Sequence, residues 1–280
     1  MNRNNIENII RNSLAEDIGN GDITTDAIVP DNLAGVGEFI VKNDGIIAGL
    51  DIIEILLGIV DSDLVIEKKI YDGEKVNNGY IFAIVKGRIS SILTAERTAL
   101  NFLQRMSGIA TMTNIYIEKI KHTKAKILDT RKTVPGLREL DKLAVKIGGG
   151  SNHRFGLYDM FLIKDNHIAV AGSITKAVNA CKVFQMENNS NFKIEVETEN
   201  IEQVKEALTC GVDFIMLDNF NLKEMEKAVE LISGKCLIEA SGGIDLNTIK
   251  QIAETGVDFI SVGALTHSVK ALDISLEIII

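Results

Sequence analysis

The runs "FIMLDNF" (214–220), "CLIEASGG" (236–243) and "FISVGAL" (259–265) begin 22 or 23 residues apart. That interval suits a compact unit of one strand and one helix. Each run is apolar until it ends in small or polar residues, the pattern of a strand buried on both faces. Segments of helical spacing, "NIEQVKEALTCG" and "DLNTIKQIAETG", lie between such runs. Three more runs precede them: "KILDT" (126–130), "MFLIKDN" (160–166) and "KIEVET" (193–198). Strand alternating with helix predicts a parallel sheet. The six runs together predict an α/β barrel from about residue 115 onward, incomplete because they fall short of a full barrel. An open doubly wound sheet is the alternative use of the same elements.

Upstream the pattern differs. Ile6, Ile9, Ile10 and Leu14 recur at helical spacing and predict an amphipathic helix ending near Gly19, after which "DIGNGDITTDAIVP" reads as loop. Between about Gly35 and Ser91 come short β-type runs, "GEFIVKN", "GIIAG", "LVIEKKI" and "YIFAIVKGRIS", interrupted by one helix, "IIEILLGIV". Asn-Asp-Gly, Asp-Gly and Asn-Asn-Gly punctuate them, so a small antiparallel region is expected. Residues 92–121 form the longest helical stretch, with Arg97, Asn101 and Arg105 on one polar line four residues apart. A solvated face would explain that line equally well. The expected division is a small N-terminal α/β domain with a long connecting helix, 1–114, and the α/β barrel, 115–280.

Composition narrows the function. The chain carries 39 acidic and 30 basic residues, net charge -9, among 280 residues of which 46% are hydrophobic. An acidic balance argues against nucleic acid as a partner, which requires a basic face. Cys181, Cys210 and Cys236 are odd in number and form no Cys-x-x-Cys, so neither a disulfide framework nor a zinc site is encoded. A reducing cytoplasm is the expected compartment. No apolar run approaches the roughly 20 residues of a membrane-spanning helix.

Against this acidic background, "LDTRKTVPGLRELDKLAVKIGGG" (128–150) gathers five cations. Barrel enzymes place their chemistry on the loops that follow the strands, and here every apolar run ends in such residues. Thr130, Arg131 and Lys132 follow the first, and Lys164, Asp165, Asn166 and His167 the second. Glu195 and Glu197, two apart on a strand, point the same way. Asp218 and Asn219 end the next run, then Ser241, Gly242 and Gly243, then Gly263. The glycine-rich "SGG" and "VGA" can bring backbone N–H groups close to a phosphate. Arg131, Lys132, Arg154 and Lys164 suit carboxylates. His153, in "GGGSNHRFG", lies in a segment whose glycines suit a mobile or anion-holding loop, whereas His122 reads as a solvated helix end. Glu197 and Asp218 could hold a divalent metal, directly or through water, or could pair with the cations.

Taken together, these residues resemble the quinolinate phosphoribosyltransferase family, whose members are also called nicotinate-nucleotide pyrophosphorylases (carboxylating). The resemblance spans nearly the whole chain: "EDIGNGDITTD", "ERTALNFLQRMSGIAT" (96–111), "DTRKTVPGLRELDKLAVKIGGGSNHRFGLYDMFLIKDNH" (129–167), "EVE", "LDNF", "EASGGI" and "SVGALTHSV". It implies a homodimer of subunits with a small N-terminal α/β sandwich domain followed by a C-terminal α/β barrel, each sandwich closing its partner's barrel mouth. It implies that Arg97 is donated across that interface. It implies that Thr130, Arg131, Lys132, His153, Arg154 and Lys164 bind quinolinate, a pyridine dicarboxylate. Glu197 and Asp218 would bind the ribose hydroxyls and the Mg2+ carried by phosphoribosyl pyrophosphate, with Lys132 beside them at the reacting centre. Ser241, Gly242, Gly243, Val262, Gly263 and Ala264 would hold the 5-phosphate. No organic cofactor is implied. The segment "VFQMENNSNF" is longer and richer in asparagine than the family pattern, which affects loop length rather than chemistry.

Two other readings share some of these features. "DGEKVNNGYIFAIVKG" resembles half of a biotinyl or lipoyl carrier domain, although Lys42 stands beside the Asn-Asp-Gly turn rather than at it. A paralogous phosphoribosyltransferase acting on another acid would keep the fold and the phosphate loops. The cations at 131, 132, 154 and 164 favour a dicarboxylate.

Overall fold

A computed structural model describes residues 3–279. Along the chain run α1 (Arg3–Ile18), α2 (Ile23–Ile28), β1 (Ala34–Val41), β2 (Gly45–Ile46), α3 (Leu50–Val60), β3 (Val65–Lys68), β4 (Lys75–Val76), β5 (Ile81–Arg88) and α4 (Ile89–Ile120). Then come β6 (Lys126–Leu128), α5 (Arg138–Ile147), β7 (Phe161–Ile163), α6 (Asp165–Ala171), α7 (Ile174–Glu187), β8 (Ile194–Thr198) and α8 (Ile201–Thr209). The last elements are β9 (Phe214–Asp218), α9 (Leu222–Ile232), β10 (Leu237–Ser241), α10 (Ile249–Glu254), β11 (Phe259–Ser261), α11 (Ala264–His267) and β12 (Ile274–Ile279).

The chain forms two compact units. One comprises the chain through Asn114, Thr133–Gly149 and the chain from Leu265; the other comprises Ile115–Lys132 and Gly150–Ala264. The expected cut into 1–114 and 115–280 therefore differs at two later segments, each for a visible reason. β12 returns to pair antiparallel with β1, from Val36–Ile279 to Val41–Ile274. α5 is tied to α4 by Arg105, whose Nε and Nη2 each donate to the Asp141 carboxylate at 2.8 Å. Arg105 thus belongs to a buried ion pair rather than to a solvated line.

In the first unit the antiparallel sheet has the order β12-β1-β5-β3, with β2 and β4 as a separate ladder. Its core includes Phe39 and Phe82, whose ring centroids lie 6.0 Å apart, and the buried Ile53 and Leu56 of α3. α1 packs on α3 and buries Ile6, Ile10 and Leu14, the stripe that predicts it. The segment expected as loop contains α2, because the Asp22 carboxylate caps it, accepting from the Thr25 N–H at 3.0 Å and the Thr25 hydroxyl at 2.6 Å.

The second unit holds the six expected strands in one parallel sheet, order β6-β11-β10-β9-β8-β7. Strands β7 to β11 are neighbours in sequence as in space, while β6, the first, pairs outside β11. Ladder partners share a face in a parallel sheet, so the registers sort the side chains. One face carries Ile127, Ile163, Val196, Ile215, Ile238 and Ile260, all buried. α7 packs on β7 and β8, and α8 on β8 and β9. Each such side chain contributes about 1.5–3 kcal/mol by leaving water. The opposite face carries Glu195, Glu197, Met216, Asp218, Glu239, Ser241 and Ser261. Apart from Thr198 of β8, polarity is thus confined to one face and rises toward the carboxyl ends of the strands.

Candidate active site

The polar face is concave. β8 and β10 are separated by β9, so their backbones lie about 9–10 Å apart at ordinary strand spacing. Yet Glu195 Oε2 of β8 and Glu239 Oε2 of β10 lie 3.1 and 3.4 Å from one atom, His153 Nε2. All three side chains are buried, at 1%, 1% and 7% exposure. Burial pushes both carboxyls well above the ordinary carboxylate range, and the neighbouring Glu195 charge pushes Glu239 further. A proton held on either one removes the repulsion between them.

His153 is held on its other side as well. Residues 151–153 run beside the end of β6: Ser151 N–H donates to the Ile127 carbonyl at 2.8 Å and Asp129 N–H to the Ser151 carbonyl at 3.2 Å. The Asp129 side chain, fully buried, accepts from the His153 N–H at 2.9 Å and from Asn152 Nδ2. The segment after the three glycines, expected to be mobile or anion-holding, is therefore clamped to the sheet. Asp129 and Glu239 carried no separate signal in the sequence, since each reads as one more polar residue at the end of an apolar run.

The cations gather above this floor. Arg154 Nη1 donates to the Met160 carbonyl at 3.2 Å. Burial, and then the Arg131 guanidinium, hold Arg154 below the ordinary arginine value, opposed by Glu195 and Asp159. Two arginines repelling one another in a half-buried site are stabilised by an arriving anion. Lys164 Nζ pairs with Glu197 Oε2, its neighbour in the continued β7–β8 register. Lys132 is exposed, its N–H donating to Thr130 Oγ1 at 3.0 Å. Of the five cations between 128 and 150, Arg131 and Lys132 belong to this unit, while Arg138, Lys142 and Lys146 lie in the other with α5. Arg97 is exposed on α4, also in the other unit.

Asp218 and the glycine turn meet at the next strand ends. Asn219, in the left-handed region at φ 57°, donates its N–H to the Ser241 carbonyl at 2.9 Å and its Nδ2 to Asp218 Oδ2 at 2.7 Å. Gly242 has φ +98°, and a Cβ there would lie 2.2 Å from Asn219 Oδ1, so glycine is required both by conformation and by space. Beside it a cavity of about 510 Å³ is lined by Asn221, Lys223, Gly242, Gly243, Thr248 and Gln251 among others. Val262 is buried, its N–H taken by the Leu128 carbonyl at 2.9 Å, with half-buried Gly263 and Ala264 after it.

Glu197 and Asp218 stand on neighbouring strands, and each already has a protein partner, Lys164 and Asn219. Two such carboxylates fit a magnesium ion held through water better than one ligated directly.

Comparisons with known proteins agree with this arrangement. Residues 22–107 match the family model "Quinolinate phosphoribosyl transferase, N-terminal domain", and residues 109–277 match its C-terminal counterpart. A tobacco protein, quinolinate phosphoribosyltransferase [decarboxylating] 1b of Nicotiana tabacum, is 46% identical over 98% of this chain and 82% of its own length. A probable nicotinate-nucleotide pyrophosphorylase [carboxylating] of Bacillus subtilis is 42% identical over 99% of this chain and 95% of its own. The solved nicotinate-nucleotide pyrophosphorylase of Francisella tularensis superposes with a TM-score of 0.95 at 42% identity, covering 100% of this chain and 98% of that one. By sequence over nearly its full length and by fold, the chain belongs to the quinolinate phosphoribosyltransferase family.

Proposed function

We propose that this protein is a decarboxylating quinolinate phosphoribosyltransferase, converting quinolinate and phosphoribosyl pyrophosphate to nicotinate mononucleotide, pyrophosphate and CO2 in NAD biosynthesis. Within the molecule, the support for this is the set of cations at the carboxyl ends of β6 and β7: Arg131 and Lys132 after β6, Arg154 in the segment bridged to it through Ser151, and Lys164 after β7. A dicarboxylate offsets the charge these groups share. Arginine forks match its two groups.

In this reading the pyridine nitrogen attacks C1 of the phosphoribosyl group. The N–C1 bond forms as the C1–O bond breaks, and its electron pair leaves with pyrophosphate. Positive charge develops on the ribose, where Glu197 and Asp218 stabilise it and orient the ring hydroxyls. Lys164, paired with Glu197 in the structure, is available to the acid substrate once Glu197 turns to the ribose. The resulting pyridinium accepts the electron pair released when the adjacent carboxylate leaves as CO2, and solvent protonates the ring carbon. Magnesium, when bound with the diphosphate, neutralises the leaving group's charge. The turn at Ser241–Gly243 and the segment Val262–Ala264 receive the 5-phosphate. The active form is a homodimer in which Arg97 of each subunit completes its partner's site.

The decisive assay incubates purified protein with quinolinate, phosphoribosyl pyrophosphate and magnesium, following nicotinate mononucleotide and CO2 together, with nicotinate in place of quinolinate as control. Stoichiometric formation of both products from quinolinate alone is expected. Folded protein that makes neither product would move the substrate to another acid.

A further inference from the structure

We infer that Glu195 and Glu239 are positioning residues: they hold the His153 ring so that its Nδ1 anchors the Arg154 backbone, which sets the guanidinium for the acid substrate. The inference rests on the proposed transferase reading for the identity of that substrate. Both ring nitrogens of His153 are engaged by the protein. Arg154 N–H donates to Nδ1 at 2.7 Å, so Nδ1 is an acceptor and the ring proton sits on Nε2. Nε2 faces Glu195 Oε2 at 3.1 Å and Glu239 Oε2 at 3.4 Å. His153 therefore acts on the pocket through Arg154 rather than by presenting its own nitrogen to a carboxylate.

The two glutamates depend on this arrangement in turn. Neither oxygen of Glu195, nor Oε1 of Glu239, makes a hydrogen bond, although both residues are fully buried. What faces them there is the imidazole Nε2, 3.1 Å from Glu195 Oε2 and 3.4 Å from Glu239 Oε2, within ion-pair range but not as a hydrogen bond to Glu195. With the His153 N–H tied to Asp129 at 2.9 Å and Arg154 Nη1 to the Met160 carbonyl at 3.2 Å, the dipeptide has little freedom left. The three groups also have the spacing of a metal site, their ligand atoms lying within 4.8 Å of one another. The bond into Nδ1 argues against that use, because a protonated Nε2 has no lone pair to give a metal.

The test begins without substrate. Protein carrying 15N-labelled histidine, with the exposed His122, His167 and His267 each replaced by Gln to assign by elimination, is read by two-bond 1H–15N spectra. The expected His153 signature is a bare Nδ1 and a protonated Nε2. A protonated Nδ1, or a zinc ion bound one to one and lost in Glu239→Gln, overturns the inference whatever the enzyme's substrate proves to be. Steady-state kinetics follow. Glu239→Leu and Glu195→Leu remove a carboxyl that faces Nε2 and are expected to raise the KM for quinolinate about tenfold or more with kcat changed about threefold or less. Glu239→Gln, which keeps an oxygen acceptor, restores both the signature and the KM. Leu variants that fold and keep the parent signature and KM sink the inference. Should they fail to fold, the parent signature and the Gln variant still decide it.

Discussion

Gly242 and Gly243 both have positive φ, +98° and +58°, yet they differ in what surrounds them, which separates two physical costs of adding a side chain. At Gly243 a Cβ meets open space, so Gly243→Ala incurs only the left-handed penalty, about 1–2 kcal/mol. At Gly242 the same atom would lie 2.2 Å from Asn219 Oδ1, 2.6 Å from its Cγ and 2.8 Å from its backbone nitrogen. The side chain could swing away, but the backbone nitrogen cannot, because Asn219 N–H is bonded to the Ser241 carbonyl at 2.9 Å. Overpacking of that kind adds about 1–3 kcal/mol, for a total of about 2–5 kcal/mol. Moving Asn219 also releases its 2.7 Å bond to Asp218, so the damage should reach the proposed ribose site. Urea unfolding at unchanged slope gives the stability difference from the midpoints, and initial rates give the KM for phosphoribosyl pyrophosphate. Gly242→Ala is expected to be the worse variant in both. Equal penalties at the two positions would show that the contact with Asn219 is not what demands glycine.

Three other substitutions probe separate parts of the molecule. Asp141→Ala, by leaving Arg105 without its carboxylate, should destabilise by about 3–5 kcal/mol in urea unfolding, while Arg105→Met with Asp141→Leu recovers most of it; a fully stable single variant would contradict the pairing. Arg154→Ala should weaken quinolinate binding in calorimetry by about 2–5 kcal/mol, and unchanged affinity would place the dicarboxylate elsewhere. Glu239 binds its proton more tightly folded than unfolded, so the stability it contributes is present below the ordinary carboxylate range and is lost as pH rises through its elevated folded value. Between about pH 5 and about pH 8, Glu239→Gln should therefore flatten a decline in stability seen in the parent, and parallel profiles would count against the buried carboxyl.

Much of the second unit is legible along the chain. Strands β6, β7, β9 and β11 announce themselves as nearly continuous apolar runs, the mark of a strand buried on both faces, while β8 and β10 are interrupted by glutamates on the polar face. The candidate residues at those ends, from Thr130 to Gly263, follow from position alone. Helix α2 was hidden because its signal is a single capping aspartate in a polar stretch. The Arg105 pair was hidden because a four-residue polar spacing looks the same whether it meets solvent or a buried carboxylate.

Periodicity and composition by themselves determined most of the elements, though not α2 or β12, their parallel character and the cation-rich strand ends, and long matching motifs pointed to the family. Both are properties of neighbours along the chain, and a strand or a helix is a response to neighbours. Tertiary structure alone decided which distant residues meet: β12 with β1, Asp141 with Arg105, and Glu195 with Glu239 on one imidazole across an intervening strand. The last depends on the curvature of the sheet. Curvature brings side chains of nonadjacent strands together at a distance that no spacing in the sequence encodes.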